Sequence, residues 1–177
     1  MTDQQLRKTE NAPAFSEHVT ALCSRQIQPG EGHAAGRALL AQMYTAYTGQ
    51  PLPAILTTPR GKPYFPGSNV HFSISHTKTR VFCALSDRPV GIDAEDENRD
   101  ISFALAEKIL SPGELAQFRQ AQDPRKALLT FWVLKEAQVK CTGEGLRGYP
   151  CHTDFSLQDP RVQTIDGSIV AVIKEEA

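Results

Sequence analysis

The chain has 177 residues and a formal net charge of −1 from 19 basic and 20 acidic side chains, with 40% hydrophobic and 22% charged residues. That length fits one domain, or two small halves fused, with room for a sizeable buried core. The near-neutral balance offers no general attraction to nucleic acid, so any anion site has to be local, and no apolar run approaches the length of a membrane span.

Residues 1–17 are polar, carry charges of both signs and lack the apolar stretch of a signal peptide, so they read as a loose arm. Ala34, Ala35, Ala38, Leu39, Leu40, Met43 and Tyr47 recur at helical spacing and predict a helix over 31–48, ended by Gly49 and Pro51. A Pro- and Gly-rich loop over 51–69 contains Gly61-Lys62-Pro63-Tyr64. Then the period changes to that of strands at Val70–Ser75, Val81–Leu85 and Val90–Glu95, whose short links predict an antiparallel meander. A helix over 102–110 is followed by Ser111-Pro112-Gly113-Glu114, a capping box with Pro at the first helical position.

Asp123 and Pro124 open the most informative helix, over 124–141, and Gly143 and Gly145 stop it. Its apolar residues (Leu128, Leu129, Phe131, Trp132, Val133, Leu134, Ala137 and Val139) point nearly all round the axis, which predicts burial. Beyond it, strands are expected at Thr153–Leu157, Arg161–Ile165 and Ser168–Ile173, the last two joined by an Asp166-Gly167 hairpin turn. Four cysteines without CxxC spacing read as reduced thiols of a cytoplasmic protein, and Cys151-His152 lacks the second pair of ligands that a zinc site needs. The element order is that of an α+β chain whose second half loosely echoes the first.

Chemistry gathers in two places. On a strand, Asp93 and Glu95 share one face while Ile92 and Ala94 share the other. Two such carboxylates at about 4 Å repel by roughly 4 kcal/mol at an effective dielectric of about 20, so they need water or a divalent cation. Asp96, Glu97 and Asp100 extend the charge, and an acidic turn in solvent accounts for that stretch alone. The 124–141 helix adds Lys135, Glu136 and Lys140, the last two one turn apart. A solvent-facing ion pair is the usual meaning of that spacing, but on a helix apolar on so many sides a functional one is preferred. Two strand carboxylates and a third on the helix suit Mg²⁺, with lysines beside it for phosphate: a set for phosphoryl-type transfer.

Gly61-Lys62-Pro63, Phe72-Ser73-Ile74-Ser75-His76, Val90-Gly91-Ile92-Asp93-Ala94-Glu95 and Trp132-Val133-Leu134-Lys135-Glu136-Ala137-Gln138-Val139-Lys140 together resemble the ordered motifs of the 4′-phosphopantetheinyl transferases, and more closely the surfactin-synthetase-activating type. The resemblance covers about residues 34–157. It implies two similar α/β halves with antiparallel strands and packed helices, split at about residue 98 into 18–98 and 99–177 and forming one transferase domain. It implies transfer of the phosphopantetheine arm of coenzyme A to a serine of an apo acyl- or peptidyl-carrier protein, as in holo-[acyl-carrier-protein] synthases, with release of adenosine 3′,5′-bisphosphate. Carried over by position, Asp93, Glu95 and Glu136 would hold Mg²⁺. Lys135 and Lys140 would bind the pyrophosphate, and Glu136, Lys140 and Asp93 would form the catalytic group. Ser75 and His76 would contact phosphates, Lys62 and Pro63 would lie near the adenine, and Arg37 would reach the 3′-phosphate. The carrier would meet the helices around 102–121.

The chain departs from the family at Ser73, Thr77, Ala94 and Gln138, and ahead of Arg37 only Arg25 stands where the family often pairs basic residues. It ends at Ala177, short for this type, so its last sheet edge is expected to need a cover. Two rival readings use the same residues. One is another Mg²⁺-dependent phosphotransferase or pyrophosphate-cleaving hydrolase. The other is a non-catalytic module that binds coenzyme A or a carrier protein.

Overall fold

A computed structural model of the chain describes residues 21–144 and 153–176. Its elements in order are β1 (Ala21–Gln26), α1 (Gly32–Thr48), β2 (Leu56–Thr57), β3 (Pro63–Tyr64), β4 (His71–His76), β5 (Arg80–Ser86) and β6 (Val90–Asp96). After a 3₁₀ turn at Phe103–Leu105 come α2 (Ala106–Ile109), α3 (Pro112–Gln120), α4 (Pro124–Thr142), β7 (Val162–Ile165) and β8 (Ser168–Lys174). The strands form two three-stranded antiparallel sheets, ordered β1-β5-β4 and β6-β8-β7, and a two-stranded ribbon β2-β3.

The alternation of side chains along the strands explains the layering. On β5, Val81, Cys83 and Leu85 join Leu39, Leu40 and Met43 of α1 in one core. The other face of β5, with Phe82 and Ala84, packs on Val90, Ile92 and Ala94 of β6 and Val170 and Val172 of β8. The far face of that second sheet, with Ile169, Ala171 and Ile173, packs on Leu129, Val133 and Ala137 of α4 and its neighbours. Each half is thus a long helix on a three-stranded sheet, and the two sheets lie back to back. The central strands β5 and β8 have no exposed face, which is why they are apolar on both. Among the described residues, no helix is long and apolar enough to cross a membrane.

The expected meander does not form. Strand β5 already has β1 on its second edge, so β6 turns away and pairs with β8 instead, with Asp93 opposite Ala171. This puts β6, counted with residues 18–98 in the sequence reading, in the second sheet. The expected strand Thr153–Leu157 is also absent. Its main chain is satisfied by side chains: Phe155 N–H donates to Glu114 Oε1 at 2.9 Å and Leu157 N–H to Gln117 Oε1 at 3.1 Å. Cys23, Cys83 and Cys141 are free thiols, while Cys151 and His152 lie outside the described residues.

The helices follow their local signals. Ser111 and Glu114 cap each other across the first turn of α3, and Asp123 accepts from Lys126 N–H at the start of α4. Glu114 then does more than cap. Fully buried, its Oε2 meets the ammonium of Lys135 at 2.8 Å, and that ammonium lies 5.6 Å from the centre of the Phe155 ring.

Against β6, α4 lies so close that only glycine fits at position 91. A Cβ there would stand 1.9 Å from the Ala137 carbonyl oxygen and 2.4 Å from Cys141 N. Both obstacles are helix backbone, which cannot rotate away. Gly91→Ala is expected to cost about 1–3 kcal/mol or more, read as a lower thermal midpoint by about 2–4 °C per kcal/mol; an unchanged midpoint would mean that strand and helix can part. Lys135→Met, which leaves Glu114 charged and buried, is expected to cost about 3–5 kcal/mol in denaturant unfolding, and a loss under about 1 kcal/mol would contradict a structural role for the pair.

Candidate functional site

The site is built where the two sheets meet. Strands β4 and β6 run side by side with no backbone ladder between them. In its place Ser73 Oγ accepts from Ile92 N–H at 3.0 Å and Ser75 Oγ accepts from Ala94 N–H at 3.2 Å. Ser75 spends its own proton on Asp93 Oδ1 at 3.0 Å. The ammonium of Lys140 reaches the same oxygen at 2.6 Å and Ser75 Oγ at 3.3 Å. Asp93 is buried, and its other oxygen, Oδ2, has no hydrogen-bond partner. A buried anionic oxygen without a donor is costly, and it aligns with a cation from outside the chain.

Helix α4 runs antiparallel to β6, and three side chains one turn apart mark the stripe that faces the strand. At one end Trp132 Nε1–H donates to Glu95 Oε1 at 3.2 Å; at the other Lys140 holds Asp93. Glu136 lies midway on that stripe, half-buried. Glu95 also pairs with Arg99, whose guanidinium carbon sits 5.8 Å from the centre of the Trp132 ring. Burial, and next the charge of Asp93, push the Glu95 carboxyl above its ordinary range, against the pull of Arg99, Trp132 and Lys140.

Two clefts flank this knot. One, of about 240 Å³, is lined by Lys62, Pro63, Ser73 and Lys140, among others; the second, of about 790 Å³, by His33, His76, Lys78, Glu95 and Arg99. Lys62, half-buried, donates its ammonium to the Cys141 carbonyl in the last turn of α4, and burial lowers its pKa. The loop that carries Lys62 and Pro63 is thereby strapped to the helix that carries Glu136 and Lys140. His76 projects into the second cleft against His33, with ring centres 5.4 Å apart. Gly32 makes room for it, since a Cβ there would stand 2.6 Å from the ring.

The structure therefore gathers Ser75, Asp93, Glu95 and Lys140, with Glu136 on the same helix stripe and Lys62, Pro63 and His76 on the flanking clefts. It does not bring Lys135 to them. That side chain leaves the helix on the far side and is enclosed with Glu114, so the expectation that it meets a pyrophosphate is corrected: its charge is spent in the core. Arg37 is exposed on α1 and lines neither cleft. Nor is the three-carboxylate metal set already closed, because among the described residues no three acidic, histidine or cysteine side chains converge as a metal cluster. Instead each strand carboxylate holds a cation of the chain, Lys140 on Asp93 and Arg99 on Glu95. The residues still fit a hard divalent ion, since the orphaned Asp93 Oδ2 and the disfavoured charge on Glu95 are what such an ion would relieve.

Sequence reasoning passed over Trp132 and Arg99 as site residues. Trp132 had a signal, standing one turn before Glu136. Arg99 had the same spacing from Glu95, but on a turn rather than a helix, where that spacing carries no geometric meaning. Because the folded-state pKa of Glu95 is raised, the protonated form is favoured by folding. Stability from this group is present below the ordinary glutamate value of 4.5 and is lost as pH rises through the raised value. Glu95→Gln is expected to flatten the fall in stability above pH 4.5, measured by denaturant unfolding at a series of pH values; an unaltered pH profile would contradict the assignment.

Comparison with known proteins adds to this geometry. Residues 89–174, which contain β6, α4 and β8, match the family described as the 4′-phosphopantetheinyl transferase superfamily. A 4′-phosphopantetheinyl transferase of Bacillus subtilis is 36% identical over 90 residues, covering 49% of this chain and 39% of that protein. One of Aneurinibacillus migulanus is 33% identical over 107 residues, covering 59% and 44%. Another, of Bacillus pumilus, is 33% identical over 148 residues, covering 81% and 63%. The chain thus spans between 39% and 63% of the length of these relatives. Asp93, Glu95, Glu136 and Lys140 all lie inside residues 89–174, the segment that matches the 4′-phosphopantetheinyl transferase superfamily.

Proposed function

We propose that the chain transfers the 4′-phosphopantetheine arm of coenzyme A to a serine hydroxyl of an apo acyl- or peptidyl-carrier protein, in the manner of a holo-[acyl-carrier-protein] synthase, and releases adenosine 3′,5′-bisphosphate. The observation that carries the reading is the buried Asp93, held by Ser75 and Lys140 on one oxygen and without a partner on the other, on a strand within the family segment. Asp93, Glu95 and Glu136 would hold Mg²⁺, which would supply charge neutralisation at the pyrophosphate.

The chain's own residues divide the remaining work. Lys140 lines the smaller cleft, holds Asp93, and offsets the negative charge that grows on the departing oxygen. Glu136, directly or through a bound water, accepts the proton of the incoming serine as the serine oxygen bonds to phosphorus and the bond to the bridging oxygen breaks. Lys62 and Pro63 on one side, and Ser75 and His76 on the other, are the groups read as receiving the adenosine and its phosphates. Arg37, read as reaching the 3′-phosphate, is exposed on α1 outside both clefts. The free thiols and the reaction itself accord with a cytoplasmic setting.

Intact-mass measurement of apo carrier proteins incubated with this protein, coenzyme A and Mg²⁺ is expected to show the gain of one phosphopantetheine, abolished by a chelator. Glu136→Gln is expected to slow that gain by about 10²-fold or more while the circular dichroism of the fold is unchanged. Coenzyme breakdown without any acceptor would instead support a pyrophosphate-cleaving hydrolase. Coenzyme binding without transfer to any carrier would support a binding module.

A further inference from the structure

We propose that Arg99 is a built-in counter-ion of Glu95 that competes with the divalent cation, so that cation affinity at the site is set by an arginine outside the ligand set. The inference rests on the reading of Asp93, Glu95 and Glu136 as the ligands.

Arg99 is held in place in three ways. Its own N–H donates to the Asp96 carbonyl at 2.8 Å, which tightens the turn that follows β6. Its guanidinium lies over the Trp132 ring at 5.8 Å, and it pairs with Glu95 Oε1, the same oxygen that accepts from Trp132 Nε1. A planar guanidinium fixed by a turn and a ring loses less freedom on pairing than an unconstrained surface lysine does. The Glu95 side chain is 20% exposed and that of Arg99 40%, so the pair sits at the wall of the second cleft, within reach of whatever enters it.

The two chain cations are therefore not equivalent. Lys140 approaches Asp93 from α4, among the residues of the reaction, whereas Arg99 approaches Glu95 from a turn and touches none of them except Glu95. Without an added ion, Asp93 and Glu95 share one face of β6, and Arg99 offsets their repulsion and keeps Glu95 oriented. A divalent cation has to displace the guanidinium from Oε1 or bind beside it, and either event weakens binding. Taking the positive charge away should thus tighten cation binding, the opposite of what loss of a ligand does.

The test uses Mn²⁺ as the probe, with the free ion counted by electron paramagnetic resonance. The wild-type chain, Arg99→Gln, Arg99→Lys, Asp93→Asn, Glu95→Gln and the Glu95→Gln/Arg99→Gln double variant are titrated in parallel. Arg99→Gln is expected to bind Mn²⁺ about two- to fivefold more tightly, the range of a partly exposed ion pair, with the gain shrinking as salt rises. Arg99→Lys keeps the charge and should stay near the wild-type value. The double variant should bind no more tightly than Glu95→Gln alone, because the effect runs through Glu95. Equal or weaker binding by Arg99→Gln, with Asp93→Asn still weakening it, would overturn the role of Arg99 and leave the ligand reading standing. Mn²⁺ binding that ignores Asp93 altogether, or fails in every variant, would overturn both.

Discussion

Two serine hydroxyls stand where a backbone ladder would otherwise join the halves, and the site depends on that exchange. A carbonyl oxygen could accept from Ile92 and Ala94 N–H as well as Ser73 and Ser75 Oγ do, but it has no proton to give. Ser75 does, and gives it to Asp93, which in turn holds Lys140. The contact that joins the two sheets is thus continuous with the one that orients the acidic centre. Inside a low-dielectric seam such a chain of hydrogen bonds strengthens itself when complete and is costly when broken. Joining the halves and assembling the site are one event.

Helix α4 shows how finely that arrangement is set by rotation about one axis. Lys135 and Glu136 are neighbours in sequence, yet about 100° of helical turn sends one into the core beside α3 and leaves the other on the stripe that faces β6. The lysine that looked like a phosphate ligand became the partner of Glu114, a residue whose capping role gave no hint of burial. The backbone contact at Gly91 fixes how near that stripe comes to the strand.

Much of this was legible before any coordinates. Helix α4 announced itself through Asp123-Pro124, its apolar girth and its terminal glycines, and Asp93 and Lys140 stood out as charges in otherwise apolar stretches. The strands β5 and β8 stood out as β-type runs. Strand β1 did not, since Ser24, Arg25 and Gln26 make it half-polar and it borrows its order from pairing with β5. The pairing of β6 was hidden for a related reason: sequence shows which segments are strands, while the vacant edge that each will take is decided by all the others. Lys135 was misjudged because its partner Glu114 lies in a different helix and nothing local encodes that encounter, whereas Arg99 was passed over because its four-residue spacing from Glu95 falls on a turn.

Trp132 is the chain's single tryptophan, and it stands against Glu95 and Arg99 at the heart of the candidate site. Indole emission is sensitive to nearby charge and hydrogen bonding, so the intrinsic fluorescence of this protein originates beside its acidic centre rather than from a scatter of positions. Ion loading, displacement of Arg99 or entry of a ligand into the second cleft would change the surroundings of that one fluorophore. The molecule carries its own optical label, placed by the fold where an experimenter would have chosen to attach one.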